Sequence, residues 1–286
     1  MGKIVIVGSG PAGCSAALYA ARAGQEVVVI SMGMGALSKA ELIQNYYGFE
    51  EGITGAELYR QGVAGAKAVG AEFITAEVVG LDYTGSLVVQ TTAGDYPADA
   101  VILATGAGRI APKIAGLAEH EGRGVSYCAT CDAFFYRGKT AAVLGSGEYA
   151  LHEVQALLPL AGKVILCTNG EPLTADFPEG VEICTEKLAA VEGEERVSAL
   201  RLENGELLPV EGLFVALGVA GSAALARKLG APVENGRIVV DEKMQTGIPG
   251  LYAAGDCTGG LLQVCKAVYE GALAATEAIK QIRGKK

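Results

Sequence analysis

Histidine is scarce in this 286-residue chain, and a second pair of closely spaced cysteines is missing. The only histidines are His120 and His152, and one Cys-x-x-Cys pair, Cys128 and Cys131, stands among seven cysteines. A structural zinc site needs four ligands, usually from two pairs at similar spacing. We therefore expect no metal site. A single Cys-x-x-Cys beside a strand–helix pattern is typical of a redox-active disulfide, and Asp132 follows it directly.

Basic residues and long apolar runs are also in short supply. The 23 Lys and Arg residues against 32 Asp and Glu give a net charge of −9, which argues against a nucleic-acid partner. No unbroken run of about 18 apolar residues occurs, so we expect no transmembrane helix and no membrane partner. Residues 4–20 mimic a signal peptide, but a glycine motif explains the glycines and the proline that interrupt them better.

The cysteine count excludes one further class of protein. An odd number without regular spacing is not the disulfide framework of a small secreted protein, so we expect a reducing compartment and a cytoplasmic location. Cys14, Cys167 and Cys184 lie in helix-like or strand-like apolar runs and are predicted to be small core residues. Cys257 and Cys265 leave open the alternative of a second redox pair.

A glycine motif lies near the start of the chain, between two apolar runs that are typical of buried strands. Residues 3–7 and 26–30 form the runs, and the motif is Gly8-Ser9-Gly10-Pro11-Ala12-Gly13. In a dinucleotide-binding fold the first glycine makes the turn, the second admits the pyrophosphate, and the third lets helix and strand pack. Ser31 and Met32 stand where a ribose-binding acid is expected, which weakens the predicted ribose contact.

The same pattern restarts in the middle of the chain. An apolar run at 140–144 precedes Gly145-Ser146-Gly147-Glu148-Tyr149-Ala150, and the next strand is predicted at 163–167. No arginine that could bind a 2′-phosphate follows this strand, and no acid stands at its tip. Tyr149 is expected to crowd the pyrophosphate position. Cofactor binding and a fold kept only for packing therefore remain alternatives for this second copy.

The last block of the chain carries a carboxylate at a predicted strand tip. Asp256 follows the small-residue run Tyr252-Ala253-Ala254-Gly255, and a helix is predicted from about Gln263 to Ile282. Such an aspartate is placed to bind the hydroxyl groups of an extended ligand. The alternative is an ordinary helix-capping residue.

Four sequence motifs, in order, resemble those of the low-molecular-weight thioredoxin reductases. They are GSGPAG at 8–13, ATGA at 104–107, SYCATCDAFFYRGK at 126–139 and YAAGD at 252–256. The resemblance covers nearly the whole chain. It implies an α/β fold of two Rossmann-like three-layer domains, in which a discontinuous FAD domain (1–110 and 242–286) receives an inserted disulfide-bearing domain (111–241). It also implies a homodimer with thioredoxin as its partner.

The resemblance also assigns roles to residues. Cys131 would lie against the flavin, Cys128 would be the exchange thiol, and Asp132 would move the proton. Besides the glycine motif, Ser31 and Met32, the FAD contacts implied in this way are Asn45 of QNYYGF, Val78, Thr105, Gly106, Gly255, Asp256, Gln263 and Val264.

Three departures from the family pattern concern the electron donor. The His-Arg-Arg…Arg motif of NADPH-dependent members is replaced by residues 167–172, the central domain is short, and a Gly-Gly-Gln flavin segment becomes Met34-Gly35-Ala36. These losses resemble the pyridine-nucleotide-independent branch, in which ferredoxin reduces the flavin. The alternatives are an NAD(P)H-dependent reductase with an atypical pocket and a non-catalytic flavin redox sensor.

Overall fold

The computed structural model describes residues 2–83, 85–106, 114–217 and 221–284, without the side chains of Thr130 and Cys131. The strands in these ranges are β1 (Lys3–Val7), β2 (Glu26–Ile30), β3 (Glu72–Ile74), β4 (Val78–Tyr83), β5 (Leu87–Thr91), β6 (Gly94–Ala98), β7 (Ala100–Leu103), β8 (Val125–Ser126), β9 (Thr140–Leu144), β10 (Lys163–Cys167), β11 (Glu182–Cys184), β12 (Leu188–Glu192), β13 (Ala199–Leu202), β14 (Leu207–Pro209), β15 (Gly212–Val215), β16 (Val233–Glu234), β17 (Arg237–Ile238) and β18 (Leu251–Ala253).

The α-helices and the 3-10 turns complete the described elements. The helices are α1 (Pro11–Arg22), α2 (Gly55–Ala68), α3 (Ala129–Asp132), α4 (Glu148–Leu157), α5 (Ser222–Lys228) and α6 (Val264–Gly284), and the 3-10 turns are Gly35–Lys39, Ala133–Tyr136 and Asp256–Thr258. Within the described ranges, no helix is both long enough and apolar enough to cross a membrane.

The chain divides into two compact units, the first formed by residues 1–109 and 221–286. Its central sheet has the strand order β18-β7-β1-β2-β3 with all strands parallel. The short apolar runs predicted to be strands buried on both faces take these positions, and Ile4, Val5 and Ile6 are fully buried. An antiparallel sheet of β4, β5 and β6 and a two-stranded sheet of β16 and β17 belong to the same unit.

Helices α1 and α6 of the first unit approach each other closely because small residues line their contact. A Cβ built on Gly271 would lie 2.1 Å from the carbonyl oxygen of Ala12, so only glycine fits there. Ala16, Ala17, Ala274 and Ala275 are all fully buried in the same core cluster. The C-terminal helix α6 thereby packs against the first strand–turn–helix motif, although the two lie about 250 residues apart in the chain.

The second unit, residues 110–220, repeats the parallel architecture. Its sheet has the order β11-β10-β9-β15-β8, and the antiparallel strands β12, β13 and β14 form a separate small sheet. One apolar cluster contains residues of both sheets, including Ile165, Cys167, Leu188 and Leu200. The two parallel α/β sheets agree with the predicted fold class.

The boundary between the units differs from the expected one. Residues 221–241 were assigned to the central domain, but they cluster with the first unit. Polar contacts hold this segment to the first unit. Ser222 at the start of α5 exchanges hydrogen bonds with Thr105, and the Lys228 ammonium donates to the carbonyl oxygen of Val79 at 3.1 Å. Neither contact leaves a signal in the sequence, because each joins residues more than 100 positions apart.

Candidate active site

The first glycine motif forms the turn between β1 and α1, and its three glycines have three different surroundings. A Cβ on Gly13 would lie 1.8 Å from the Gly8 carbonyl oxygen, and a Cβ on Gly8, whose φ is +108°, would lie 2.3 Å from the Ala104 carbonyl oxygen. A Cβ on Gly10 would meet no atom within 4 Å. Gly8 and Gly13 therefore serve packing, whereas Gly10 leaves open space at the N-terminus of α1, where a phosphate binds favourably.

Hydroxyl groups organise the neighbouring tip of β2. The Ser9 hydroxyl donates to Ser31 Oγ at 2.8 Å and lies 3.0 Å from the Tyr59 hydroxyl, and Ser31 Oγ accepts from the Gly33 amide at 3.0 Å. Ser31 is thus largely committed to the protein's own turn. Met32 is 60% exposed. This tip offers a ligand ribose no carboxylate, as the sequence indicated.

Two predicted flavin contacts that are far apart in sequence meet in the structure. The Asn45 amide donates to Gln263 Oε1 at 2.8 Å, across 218 positions of sequence. Asn45 lies in the segment between the 3-10 turn Gly35–Lys39 and α2, and Gln263 directly precedes α6. Both side chains are exposed, and both have further hydrogen-bonding capacity for a ligand. Their role as cofactor contacts remains a prediction.

The corner after β18 is held by a buried ion pair that the sequence reasoning missed. The Lys266 ammonium lies 2.9 Å from the Glu270 carboxylate and donates to the Gly255 carbonyl oxygen at 2.8 Å. Glu270 in turn accepts from the Gly255 amide at 2.8 Å and from the Thr258 hydroxyl at 3.0 Å. The two residues are spaced i, i+4 on α6, which is a recognisable ion-pair spacing. Nothing in the sequence showed that this pair fixes the turn that presents Asp256.

Asp256 lies in an environment that opposes its charge. Partial burial raises the pKa of its carboxyl group, the nearby Glu270 carboxylate acts in the same direction, and the Lys266 and Arg237 cations partly offset both. A carboxylate held in such a place at a strand tip is a candidate acceptor for ligand hydroxyl groups.

The remaining predicted contacts lie on the same unit. The Thr105 hydroxyl lies 2.7 Å from the hydroxyl of Ser222, which is 1% exposed. Gly106 adopts a φ of +78° with open space where a Cβ would be. Val78 is buried at the start of β4, and Val264 begins α6.

The redox segment lies in the second unit. Cys128 is buried and disulfide-bonded, and it directly precedes the one-turn helix α3, which contains Cys131. The Ser126 hydroxyl donates to Asp132 Oδ2 at 2.7 Å and accepts from the Cys128 amide at 3.1 Å. Asp132 is therefore held beside the segment in a hydrogen-bonded, partly buried position. That position is compatible with the predicted proton-transfer role.

Two side chains of helix α4 make hydrogen bonds to the redox segment, and one of them, Tyr149, corrects an expectation from the sequence. Tyr149 was expected to crowd a pyrophosphate, but its side chain is buried and its hydroxyl donates to the Tyr127 carbonyl oxygen at 2.9 Å. The expectation was wrong because a buried tyrosine hydroxyl needs an acceptor, and the segment before Cys128 supplies it. The Glu153 carboxylate, 1% exposed, accepts from the Ala129 amide at the start of α3.

Five other cysteines are free thiols. Burial raises the pKa of Cys14 and of Cys257 to about 12 each, so both are unreactive at neutral pH. Cys257 is buried and Cys265 is exposed. These surroundings favour packing over the alternative of a second redox pair at Cys257 and Cys265.

The second glycine turn, between β9 and α4, is covered by the protein's own chain. A Cβ on Gly147, the counterpart of Gly10, would lie 3.0 Å from Thr174 Oγ1. The Thr174 amide donates to the Ser146 carbonyl oxygen at 2.8 Å. At the tip of β10, Asn169 Oδ1 accepts from the Leu188 amide at 2.8 Å, so its side chain is committed to the fold. The segment after β10 thus lies against the second glycine turn, whereas the first turn has open space at Gly10.

Residues 2–271 match the family described as pyridine nucleotide-disulphide oxidoreductase. The chain belongs to this family. A thioredoxin reductase of Aquifex aeolicus is 36% identical to it over 99% of this chain and 94% of the relative. A thioredoxin reductase of Listeria innocua is 33% identical over 98% and 93%.

Two solved structures show the same fold over nearly the whole chain. The atypical thioredoxin reductase TRi from Desulfovibrio vulgaris Hildenborough has a TM-score of 0.93 with 40% identity, covering 99% of both chains. A ferredoxin-flavin thioredoxin reductase from Clostridium acetobutylicum has a TM-score of 0.75 with 35% identity, covering 99% of this chain and 98% of the other.

The first unit fits FAD, the cofactor of thioredoxin reductases in this family. The open space at Gly10, at the head of a 12-residue helix, suits the pyrophosphate. Asp256 would accept from ligand hydroxyl groups, and Asn45 and Gln263 would hold polar atoms of the ring system. The fit rests on the cradle at Gly10, which a Cβ would fill.

Proposed function

We propose that this protein is an FAD-dependent thioredoxin-disulfide reductase whose electron donor is ferredoxin rather than NADPH or NADH. Sequence identity of 33–36% with named thioredoxin reductases over nearly the full length supports the activity. The donor proposal rests on one observation, the contact of Thr174 with the second glycine turn at Ser146 and Gly147.

The two glycine turns differ in the space that they leave for a pyrophosphate. Both follow a parallel strand and open a helix, so both have the backbone of a pyrophosphate site. Only Gly10 has free space. A nicotinamide dinucleotide would have to displace the 170–174 segment and would still find no arginine at the β10 tip. The only carboxylate of this segment is Glu171, four positions after the strand end and poorly placed for a ribose. Each missing charged hydrogen bond costs about 1.5–3 kcal/mol, or roughly tenfold or more in affinity.

The protein's own residues perform the disulfide exchange in this proposal. Bound FAD supplies the two electrons that reduce the disulfide. The Cys128 thiolate attacks one sulfur of oxidised thioredoxin, and the other thioredoxin sulfur leaves as a thiol after taking a proton. Cys131 then attacks Cys128, which re-forms the protein disulfide and releases reduced thioredoxin. Asp132 holds or moves the proton at the cysteine pair, and Ser126 orients its carboxylate.

Anaerobic stopped-flow spectroscopy of the purified holoprotein tests the donor. We expect the flavin absorbance to bleach with reduced ferredoxin and to stay unchanged, or nearly so, with millimolar NADPH or NADH. Fast bleaching by micromolar NADPH would overturn the donor proposal and leave the reductase activity standing. Steady-state reduction of thioredoxin tests the activity separately, and its absence with every donor would favour a flavin redox sensor.

A homodimer belongs to the same proposal, because the resemblance to thioredoxin reductases implies one. Light scattering on the holoprotein should give twice the chain mass of 29.2 kDa. A monomeric mass at working concentration would contradict it.

A further inference from the structure

We propose that Cys167 and Cys184 form a second thiol–disulfide couple, separate from the Cys128 site and independent of the donor. They are direct register partners on the neighbouring parallel strands β10 and β11. Register partners on adjacent strands lie about 4.8 Å apart, within the roughly 4.4–6.8 Å between Cα atoms that a disulfide spans. Both are free thiols in this structure.

The two side chains are on the same face of the sheet and share one apolar environment. Cys167 is a member of the apolar cluster of the second unit, and Cys184 packs against that cluster. After burial, which is the largest cause, Cys184 also contributes to the raised pKa of the Cys167 thiol. The main chain holds the same alignment, because the Thr168 amide donates to the Cys184 carbonyl oxygen at 2.9 Å. No large backbone movement is needed to join the two sulfur atoms.

The surroundings give the two thiols different roles. Cys167 is fully buried, and burial raises its pKa, so it cannot start an exchange reaction. Cys184 is partly exposed on β11, a three-residue strand at the edge of the sheet. Cys184 is therefore the attacking thiol and Cys167 the resolving thiol.

The oxidant is a small-molecule disulfide such as oxidised glutathione. The Cys184 thiolate attacks one glutathione sulfur, the glutathione disulfide breaks, and the first glutathione leaves with a proton. The Cys167 thiol then attacks the Cys184 sulfur and the bond between Cys184 and glutathione breaks. The second glutathione leaves with the proton that Cys167 gives up. Two protein thiols become one disulfide, and one oxidised glutathione becomes two reduced ones. Reduced thioredoxin reverses the reaction by the same exchange.

The bond would enclose the segment that covers the second glycine turn. Residues 168–183 lie between the two cysteines, and they include Thr174, which contacts Ser146 and Gly147. Oxidation therefore fixes this segment at both ends. We expect slower amide hydrogen exchange in residues 168–176 of the oxidised protein than in the reduced protein, and an unchanged rate despite disulfide formation would overturn this clamping role.

Peptide mapping of the native holoprotein after oxidised glutathione treatment tests the couple. Trypsin releases both cysteines in one peptide, residues 164–187, which a glutamate-specific protease cuts between them. In the wild type we expect this peptide to lose the mass of two hydrogen atoms and to stay linked after the second digestion. Free thiols or a lasting glutathione adduct on Cys184 in the wild type would refute the proposal.

Two variants separate the roles of the thiols. Cys167→Ala should keep glutathione on Cys184 as a mixed disulfide, because no second thiol resolves it. Cys184→Ser should leave Cys167 unmodified, since burial protects it. Exposed Cys265 is the internal control and should carry a glutathione adduct in every sample. Modification of Cys167 in the Cys184→Ser variant would overturn the assignment of Cys184 as the attacking thiol.

Discussion

The three glycines of the first glycine turn differ in the space around them: one leaves room for a ligand, and two are required by the packing of the turn. Gly10 is the only one of the three motif glycines with open space around it, so a methyl group there would fill the cradle without disturbing the protein. Gly8 and Gly13 face carbonyl oxygens at 2.3 Å and 1.8 Å from a would-be Cβ, and any substitution there would disrupt the turn itself.

We predict that Gly10→Ala weakens FAD binding at least about tenfold, because the methyl group stands where the pyrophosphate must approach. The apoprotein should melt at the wild-type temperature. Gly65→Ala is the matched control, since Gly65 lies in the interior of α2 with its nearest neighbour atom 4.0 Å away. That control should bind FAD normally. Titration of apoprotein with FAD measures both, and normal affinity in Gly10→Ala would contradict the placement of the pyrophosphate.

Asp256, the predicted acceptor for ligand hydroxyl groups, also affects the stability of the folded protein. Because burial raises the pKa of its carboxyl above the unfolded value of 3.8, the group favours folding below that pH. This contribution is lost as pH rises through the folded-state pKa. At neutral pH the ionised carboxylate therefore destabilises the apoprotein relative to a neutral isostere.

We predict that Asp256→Asn raises the melting temperature of the apoprotein at pH 7 and leaves it nearly unchanged at pH 3.5. The same change should weaken FAD binding by roughly tenfold or more, because a charged hydrogen-bond acceptor is lost. Asp95→Asn, at an exposed position of β6, is the control and should do neither. Unchanged FAD affinity in Asp256→Asn would remove Asp256 from the cofactor site.

At the scale of elements, helix α6 fixes the corner after β18 through one ion pair near its first turn. Lys266 and Glu270 have side-chain exposures of 15% and 10%, and together they hold the Gly255 amide, the Gly255 carbonyl and the Thr258 hydroxyl. The same helix carries a second ion pair, Lys280 with Glu277, near its C-terminus, where the Lys280 side chain is 67% exposed. The two pairs allow a comparison within one helix.

We predict that Lys266→Met destabilises the apoprotein by roughly 3 kcal/mol, a fall of about 6–12 °C in melting temperature, because a buried carboxylate loses its cation. Lys280→Met should cost no more than about 1 kcal/mol, since exposed ion pairs contribute little. Adding Glu270→Gln to Lys266→Met should recover part of the loss. Equal effects of the two lysine variants in a thermal melt would show that burial does not make the Lys266–Glu270 ion pair more important for stability than the exposed pair.

At the scale of the whole molecule, the two units have the same sheet architecture but different ligand capacity. One glycine turn has open space at Gly10, and the other is contacted by Thr174 of its own chain. The second unit also supports the redox segment. Helix α4 illustrates this support, because Tyr149 and Glu153 hold Tyr127 and Ala129 on either side of Cys128.

We predict that substitution of each cysteine of the redox segment causes a different defect in the reaction. Cys128→Ser should still allow flavin reduction by the donor but should lower thioredoxin turnover at least about a hundredfold, because exchange cannot start without the attacking thiolate. Cys131→Ser should also stop turnover and should accumulate a mixed disulfide between Cys128 and thioredoxin. Cys265→Ser is the control and should keep full activity. Wild-type turnover in either of the first two variants would sink the assignment of roles.

The sequence by itself determined the elements and most candidate residues. Apolar runs such as 3–7 and 140–144 are typical of strands buried on both faces, and glycine spacing at 8–13 predicts the turn that follows. The resemblance carried by the motif around Cys128 and Cys131 indicated the family that the comparisons then showed. These are local signals, because each depends on residues within about 30 positions of one another.

Only the tertiary structure decided which side chains meet across long separations. It joined Asn45 to Gln263, moved residues 221–241 to the first unit, turned Tyr149 inward, and placed Thr174 over the second glycine turn. It also aligned Cys167 with Cys184, which the sequence presented as two unrelated core residues. The physical reason is the same in each case: strand register and the need to satisfy buried polar groups are settled between distant segments, and neither is encoded in local spacing.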